Sequence, residues 1–179
     1  MQRVPKIQNK QMEISDVNKT FLAMAFAGVV VSLPAAAEDG MIIQVKRLSM
    51  DTALKVAQAT VDACREKGIQ VGVTVVDRDG VPQAVLRDTI APTITLPISK
   101  GKAYAAVMFG VPTSELADRA NTPIGRVPGV VMSAGGVPIQ IAGSLLGGVG
   151  VSGAPSGDTD QACAQAGVDA VQTDLEMSM

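Results

Sequence analysis

Two β-rich segments separated by a short turn constrain the fold of this chain more than any other feature. The segments IQVGVTVVD and VPQAVLRD flank the sequence Asp77-Arg78-Asp79-Gly80, which is typical of the turn in a β-hairpin. Parallel strands would need a crossover of a dozen or more residues between them. These two strands are therefore predicted to pair in an antiparallel sheet.

The other periodic segments predict the element order α-β-β-α-α-β-β-β-α. The first helix, MDTALKVAQATVDACREKG, has Ser49 as N-cap, Gly68 at its end and an apolar face of Leu54, Ala57, Val61 and Cys64. After the hairpin come short helices in ISKGKAYAAVMFG and TSELADRAN, a three-stranded meander in GVVMSAGG, VPIQIAG and SLLGGVGVSG, and a last helix over 158–174. Hairpins instead of crossovers indicate an α+β fold, an antiparallel sheet covered by helices.

The stretch from Gly148 to Gly153 matches the G-x-G-x-x-G pattern of dinucleotide-binding folds. That pattern requires a following helix and a second parallel strand with an acidic residue about 20 residues further on. Only 179 − 153 = 26 residues remain, enough for one turn and one helix. We therefore interpret these glycines as part of a strand, where glycine marks a bulge or the close approach of another backbone.

The first 37 residues have the features of a secretory signal peptide. Four basic residues lie in Met1–Lys19, an uncharged run of 13 residues follows from Phe21 to Leu33, and Ala35-Ala36-Ala37 supplies an A-x-A cleavage site. We expect a periplasmic or secreted protein, with an extension over 38–47, a single domain over 48–179 and no membrane contact after cleavage. An uncleaved anchor is the alternative, and a wrongly chosen start codon would also explain the long polar leader.

The sequence contains no histidine, which excludes Ser-His-Asp and Cys-His catalysis, H-E-x-x-H zinc sites and histidine-ligated haem. The acidic residues Asp77, Asp79, Asp88, Asp158 and Asp160 occur where aspartate serves turns and helix caps. No catalytic constellation is evident, and whether the protein is an enzyme stays open. After cleavage the charge balance is 11 − 15 = −4, and with one tyrosine and no tryptophan no nucleic-acid partner is expected.

Several blocks of the sequence resemble one known family. VTVVDRDG, KGKAYAAVMFGVPTSELA, SAGGVPIQ and LLGGVGVSGAPSGDTDQACAQAGVDAV are similar to the GlcG/HbpS family, also called the haem-binding or PduO C-terminal-like family, from Leu48 to about Val171. The resemblance implies a profilin-like α/β/α arrangement with a five-stranded antiparallel sheet and helices on both faces. It also implies homo-oligomers, since many members assemble. Several secreted members bind haem, and others sit beside glycolate or propanediol metabolism.

A haem site would need ligands other than histidine. Tyr104 and Met108 share a helix face, and either is a candidate for the iron. Phe109 lies close by, and Lys102 or Arg126 would meet a propionate. The alternative is that the tyrosine, methionine and phenylalanine simply pack against the sheet.

The family pattern is not followed at two positions. Relatives often have a threonine where this chain has Ala105, and a turn in which some relatives carry a histidine reads Asp79-Gly80-Val81 here. Haem ligation would therefore use different atoms in this protein.

Two further functions stay open beside haem. A small anionic metabolite such as a hydroxy acid would be held by Lys102, Arg126 and an anion nest of backbone N–H groups around Gly135 and Gly136. Alternatively, the chain is a non-catalytic accessory subunit that docks on a larger periplasmic enzyme.

The resemblance also bears on the two cysteines, because it places the first and last helices together on one sheet face. If those helices are antiparallel, Cys64 and Cys163 approach and could form a disulfide in an oxidising compartment. The alternative is two buried thiols.

Overall fold

The computed structural model describes residues 41–179, and the helices and strands lie in the compact unit Ile42–Met179. The elements are α1 (Met50–Arg65), β1 (Gly72–Asp77), β2 (Pro82–Arg87), α2 (Thr95–Phe109), two 3-10 helices (Thr113–Arg119 and Pro123–Arg126), β3 (Gly136–Ile141), β4 (Ser144–Ser152) and α3 (Gly157–Met177). The predicted signal peptide lies outside the described residues. Within them, no helix combines the length and apolarity needed to cross a bilayer.

The sheet has the order β2-β1-β4-β3, with every neighbouring pair antiparallel. The predicted hairpin of β1 and β2 is confirmed, but the predicted five-stranded sheet is wrong, because the described residues form four strands. The missing strand is GVVMSAGG. Its Val131 N–H donates to the Gly101 carbonyl of α2 at 3.3 Å, and Met132 packs against Ala105 and Leu116. These contacts hold Val131 and Met132 on α2. The segment joins the sheet only at its end, where the Gly135 carbonyl accepts from the Val151 N–H at 2.9 Å and Gly136 begins β3.

Helices cover both faces of the sheet, as predicted. Along β1, Val73 and Val75 belong to the core shared with α1 and α3, whereas Val76 packs with Ala103 and Val107 of α2. All six residues of β1 are buried, which is expected for a strand covered on both sides.

The helix ends and faces agree with the prediction only in part. Ser49 is the N-cap of α1, and its hydroxyl accepts from the Thr52 N–H at 3.2 Å. Leu54, predicted on the apolar face, is 48% exposed, because the face that packs on the sheet runs through Ala53, Val56 and Thr60. The segment TSELADRAN forms a 3-10 helix instead of an α-helix.

The glycine-rich run lies in β4, between β1 and β3, as the strand interpretation requires. A Cβ at Gly150 would overlap the Ser99 carbonyl oxygen and lie 2.5 Å from the Ala103 nitrogen, and one at Gly148 would lie 2.6 Å from Val107. The glycines therefore let α2 approach the strand backbone closely. Because β4 pairs only with antiparallel neighbours in the described part of the chain, the parallel unit of a dinucleotide site is not formed there.

A disulfide joins Cys64 of α1 to Cys163 of α3, with the two Cα atoms 5.5 Å apart and both side chains fully buried. The structure has the pairing that the family resemblance suggested, and neither cysteine is a free thiol in it. The bridge ties together the two helices that cover one face of the sheet.

Candidate functional site

A cavity with a volume of about 650 Å³ lies among the described residues, and this volume is within the usual range for small-molecule sites. It lies between the β1–β2 turn, helix α2 and the loop that precedes β3. Most of its walls are apolar side chains and glycine. The lining residues are Asp79, Gly80, Val81, Pro82, Pro97, Lys100, Gly101, Tyr104, Pro128 and Gly129.

One face of α2 supplies the side chains that carry chemistry. Lys100 and Tyr104 are one helical turn apart and both line the cavity. Met108 follows one turn later and is 43% exposed at the edge. Gly110, with φ of 67°, ends the helix in the left-handed conformation. Since the adjacent stripe of α2 through Ala103 and Val107 packs on the sheet, this face is directed to the cavity.

The β1–β2 turn lies directly against the Tyr104 ring. Gly80 has φ of 80°, and a Cβ there would be 2.5 Å from Cδ2 of Tyr104. Asp77 organises the turn, because its Oδ1 accepts from the N–H groups of Asp79 at 2.9 Å and Val81 at 3.0 Å. This is the turn role predicted for Asp77, and it fixes one wall of the cavity.

Arg47, in the segment before α1, connects to the same turn. Its guanidinium pairs with Asp77 at 2.8 Å and also with Asp79. The hydrogen bond that Arg47 donates to Asp79 is the main cause that raises the pKa of Arg47, and desolvation opposes it. Sequence reasoning missed Arg47, because 30 and 32 residues separate it from its partners and no local pattern connects them.

Lys102 lies outside the cavity and is buried. Its ammonium donates to Asp160 Oδ2 at 2.8 Å and to the Val151 carbonyl at 2.9 Å. Burial raises the pKa of Asp160, although the hydrogen bond from Lys102 lowers it in part. Asp160 was predicted to cap the last helix, but the cap is Ser156, whose hydroxyl accepts from the Thr159 N–H.

The predicted anion nest is occupied by groups of the protein itself. Gly135 lies so close to Lys102 that a Cβ would be 2.6 Å from the ammonium nitrogen, and the Gly136 N–H already donates to Thr113 at 2.8 Å. The internal carboxylate of Asp160 takes the position that an anionic ligand would need beside Lys102. We therefore do not include Lys102, Gly135 and Gly136 in the candidate site.

The remaining predicted residues are dispersed. Phe109 packs in a separate apolar cluster, where the Arg119 guanidinium lies 5.9 Å from its ring centre. Arg126 is exposed in the second 3-10 helix and does not line the cavity. Lys100 replaces Lys102 as the cation at the site, and the spacing of one turn from Tyr104 is the signal that could have found it.

The family model described as haem degrading protein HbpS-like matches residues 48–169. A solved double mutant of HbpS from Streptomyces reticuli is similar to this chain at 38% identity and a TM-score of 0.69, over 77% of this chain and 96% of that one. A crystal structure of a PduOC–heme complex is similar at 27% identity and a TM-score of 0.64, over 69% of this chain and 94% of that one.

A curated relative also matches. It is an uncharacterised 15.0 kDa protein from the dhaT-dhaS intergenic region of Citrobacter freundii, 31% identical over 118 residues, which cover 62% of this chain and 82% of the relative.

Proposed function

The chain belongs to the HbpS-like family, and on that premise we propose that it binds haem or a related tetrapyrrole in the cavity lined by Tyr104. The observation that carries the proposal is the position of this tyrosine. It is the only tyrosine of the chain, and it lies half-buried in a largely apolar cavity. The heme complex of a similar protein supports this class of ligand.

The residues at the cavity fit such a ligand. A tetrapyrrole is a wide apolar ring with carboxylate substituents, and haem adds an iron that accepts an axial ligand. Val81, Pro82, Pro97 and Pro128 provide apolar walls, and a tyrosine phenolate is an established ligand of ferric haem. Lys100 is placed to pair with a propionate.

Tyr104 is a better candidate for the iron ligand than Met108. The tyrosine lines the cavity, whereas the methionine lies at its edge and is 43% exposed. A thioether also favours softer, reduced iron, whereas a phenolate favours ferric iron. We therefore assign Tyr104 as the proposed ligand and keep Met108 as the second candidate.

The alternative of a small hydroxy acid has lost the residues on which it was based, because Lys102 pairs with Asp160 and Arg126 lies outside the cavity. Export to the periplasm, homo-oligomers and docking on a larger enzyme stay predictions. Fractionation of the native host and light scattering on the purified protein would test the first two.

Titration of the purified protein with hemin tests the proposal. We expect a saturable Soret band at one hemin per chain and quenching of the single tyrosine. Tyr104→Phe removes only the hydroxyl and should abolish the charge-transfer band of a ferric phenolate. Met108→Leu, which nearly conserves volume, should leave that band in place. A nonspecific linear rise with hemin would contradict haem binding, and an unchanged spectrum in Tyr104→Phe would contradict the ligand assignment.

The same complex tests for turnover, because the description of the family names haem degradation. Ascorbate is added in air, and the Soret band is compared with that of free hemin under the same conditions. Faster loss in the complex, with release of iron, would indicate degradation. A stable band would limit the function to binding.

A further inference from the structure

Two charged side chains line the cavity, and they differ in their partners. Asp79 is paired with Arg47, whereas within residues 41–179 no carboxylate lies in ion-pair distance of Lys100. The lysine is exposed at the cavity. A ligand that enters therefore meets one cation free to pair and one carboxylate that is already neutralised.

The neutralisation depends on Arg47 alone among the described residues. Asp77 and Asp79 are both within reach of its guanidinium, whose planar fork can serve two carboxylates at once. Together with Lys100, the arginine and its two aspartate partners carry no net charge. Without the arginine they would carry −1, with the Asp79 carboxylate unpaired at the wall of the cavity.

We propose that Arg47 sets the electrostatic selectivity of the cavity, so that the site accepts a ligand with carboxylate groups. This inference rests on the proposed function for the identity of the ligand, but the effect of Arg47 on local charge does not. Arg47 acts through Asp79 and is a positioning and charge-balancing residue, without contact to the ligand itself.

The first test measures the charge at the cavity without any haem. The chain has one tyrosine and no tryptophan, so tyrosine fluorescence reports Tyr104 alone. Quenching by iodide depends on local charge, whereas quenching by neutral acrylamide reports only access. Arg47→Gln should lower the iodide quenching constant about twofold, from the Coulomb energy of one partly screened charge, and leave the acrylamide constant unchanged.

Two second variants separate charge from structure. Arg47→Gln combined with Asp79→Asn should restore iodide quenching, because the unpaired carboxylate is gone. Arg47→Lys should keep most of the wild-type value, since it retains the charge but not the fork. The matched control is Arg65→Gln. The Arg65 side chain is 53% exposed, against 46% for Arg47, and it pairs with the buried Asp88 on the α1 side. This substitution should leave both quenchers unaffected.

The second test compares hemin with its dimethyl ester, which lacks carboxylates. Arg47→Gln should weaken hemin binding roughly tenfold and the ester less than twofold, and the added Asp79→Asn should restore hemin affinity. Circular dichroism and the melting temperature confirm that each variant is folded.

The outcomes distinguish the inference from the function beneath it. If the wild-type protein binds no hemin but Arg47→Gln reduces iodide quenching selectively, the proposed function fails and the charge role of Arg47 stands. Equal losses for hemin and ester, equal changes for both quenchers, or no rescue by Asp79→Asn would each overturn the inference, since a merely structural role predicts them.

Discussion

Reduction of the Cys64–Cys163 bridge should cost this protein a large part of its stability. The two residues are 99 positions apart, and in the chain-entropy model a loop of about 100 residues contributes about 4.7 kcal/mol at 25 °C. Residual structure in the unfolded chain makes this an upper value, so we expect a loss of about 3–5 kcal/mol. A domain typically has only about 5–15 kcal/mol in total. The melting temperature should therefore fall by about 10–20 °C.

Urea unfolding of the oxidised and reduced wild-type protein measures this loss of stability directly. Both sulfur atoms remain after reduction, so no cavity forms and the difference in stability reports the bridge alone. Because both side chains are fully buried, the protein is reduced while unfolded and then refolded with reductant present. The m-value should rise, since the reduced unfolded chain exposes more surface. The double variant Cys64→Ala, Cys163→Ala also removes both sulfur atoms, so it should lose additional stability through the cavity that they leave.

Two results would refute this reasoning. An unreduced protein with the full dithiol mass would show that the bridge does not form. A loss below about 1 kcal/mol with an unchanged m-value would show that the loop does not constrain the unfolded chain as the entropy model requires.

Three other predictions concern the contacts of α2. Gly150→Ala should destabilise the fold by about 1–3 kcal/mol, because the new methyl group meets the Ser99 carbonyl; chemical denaturation checks it, and an unchanged midpoint would contradict the close approach. Lys102→Met should cost about 3–5 kcal/mol by leaving the buried Asp160 unpaired, and adding Asp160→Leu should recover most of it. Burial raises the pKa of Asp160 in the folded protein. The contribution of this residue to the free energy of unfolding is therefore fully present below the unfolded pKa of about 3.9, and it is lost as the pH rises through the folded pKa. The wild type should therefore melt at a higher temperature than Asp160→Asn by a margin that shrinks as the pH rises above about 4. A margin that stays constant with pH would contradict a raised pKa of Asp160.

The elements with strong local patterns could be predicted well. The N-cap at Ser49, the β1–β2 hairpin and the strand character of the glycine run follow from side-chain periodicity and turn chemistry, which depend on near neighbours in the chain. The same reasoning predicted a strand in the segment GVVMSAGG, and this prediction was wrong. The apolar composition of the segment suits a strand, but contacts with α2 decide its conformation, and composition does not reveal the partner of an apolar segment.

The candidate site shows the same division. Tyr104 was proposed from the sequence as a ligand-binding residue, which stays a prediction, and the structure places its side chain at the cavity. Lys100 could have been added from its spacing of one helical turn. The sequence alone could not have excluded Lys102 from the candidate site, because its partner Asp160 lies 58 positions away in the chain. Lys100 and Lys102 are two positions apart and lie on different sides of one helix, and only the packing of α2 decides which side is buried.

The sequence by itself determined the chemistry available to this protein. Without histidine, and with one tyrosine and two cysteines, it limits the side chains that could ligate a haem iron and allows one disulfide. Tertiary structure decided which groups are free to act. It neutralised Asp79 with Arg47, buried Lys102 against Asp160 and left Lys100 at the cavity, because ion pairing and burial depend on distances between segments that are far apart in the chain.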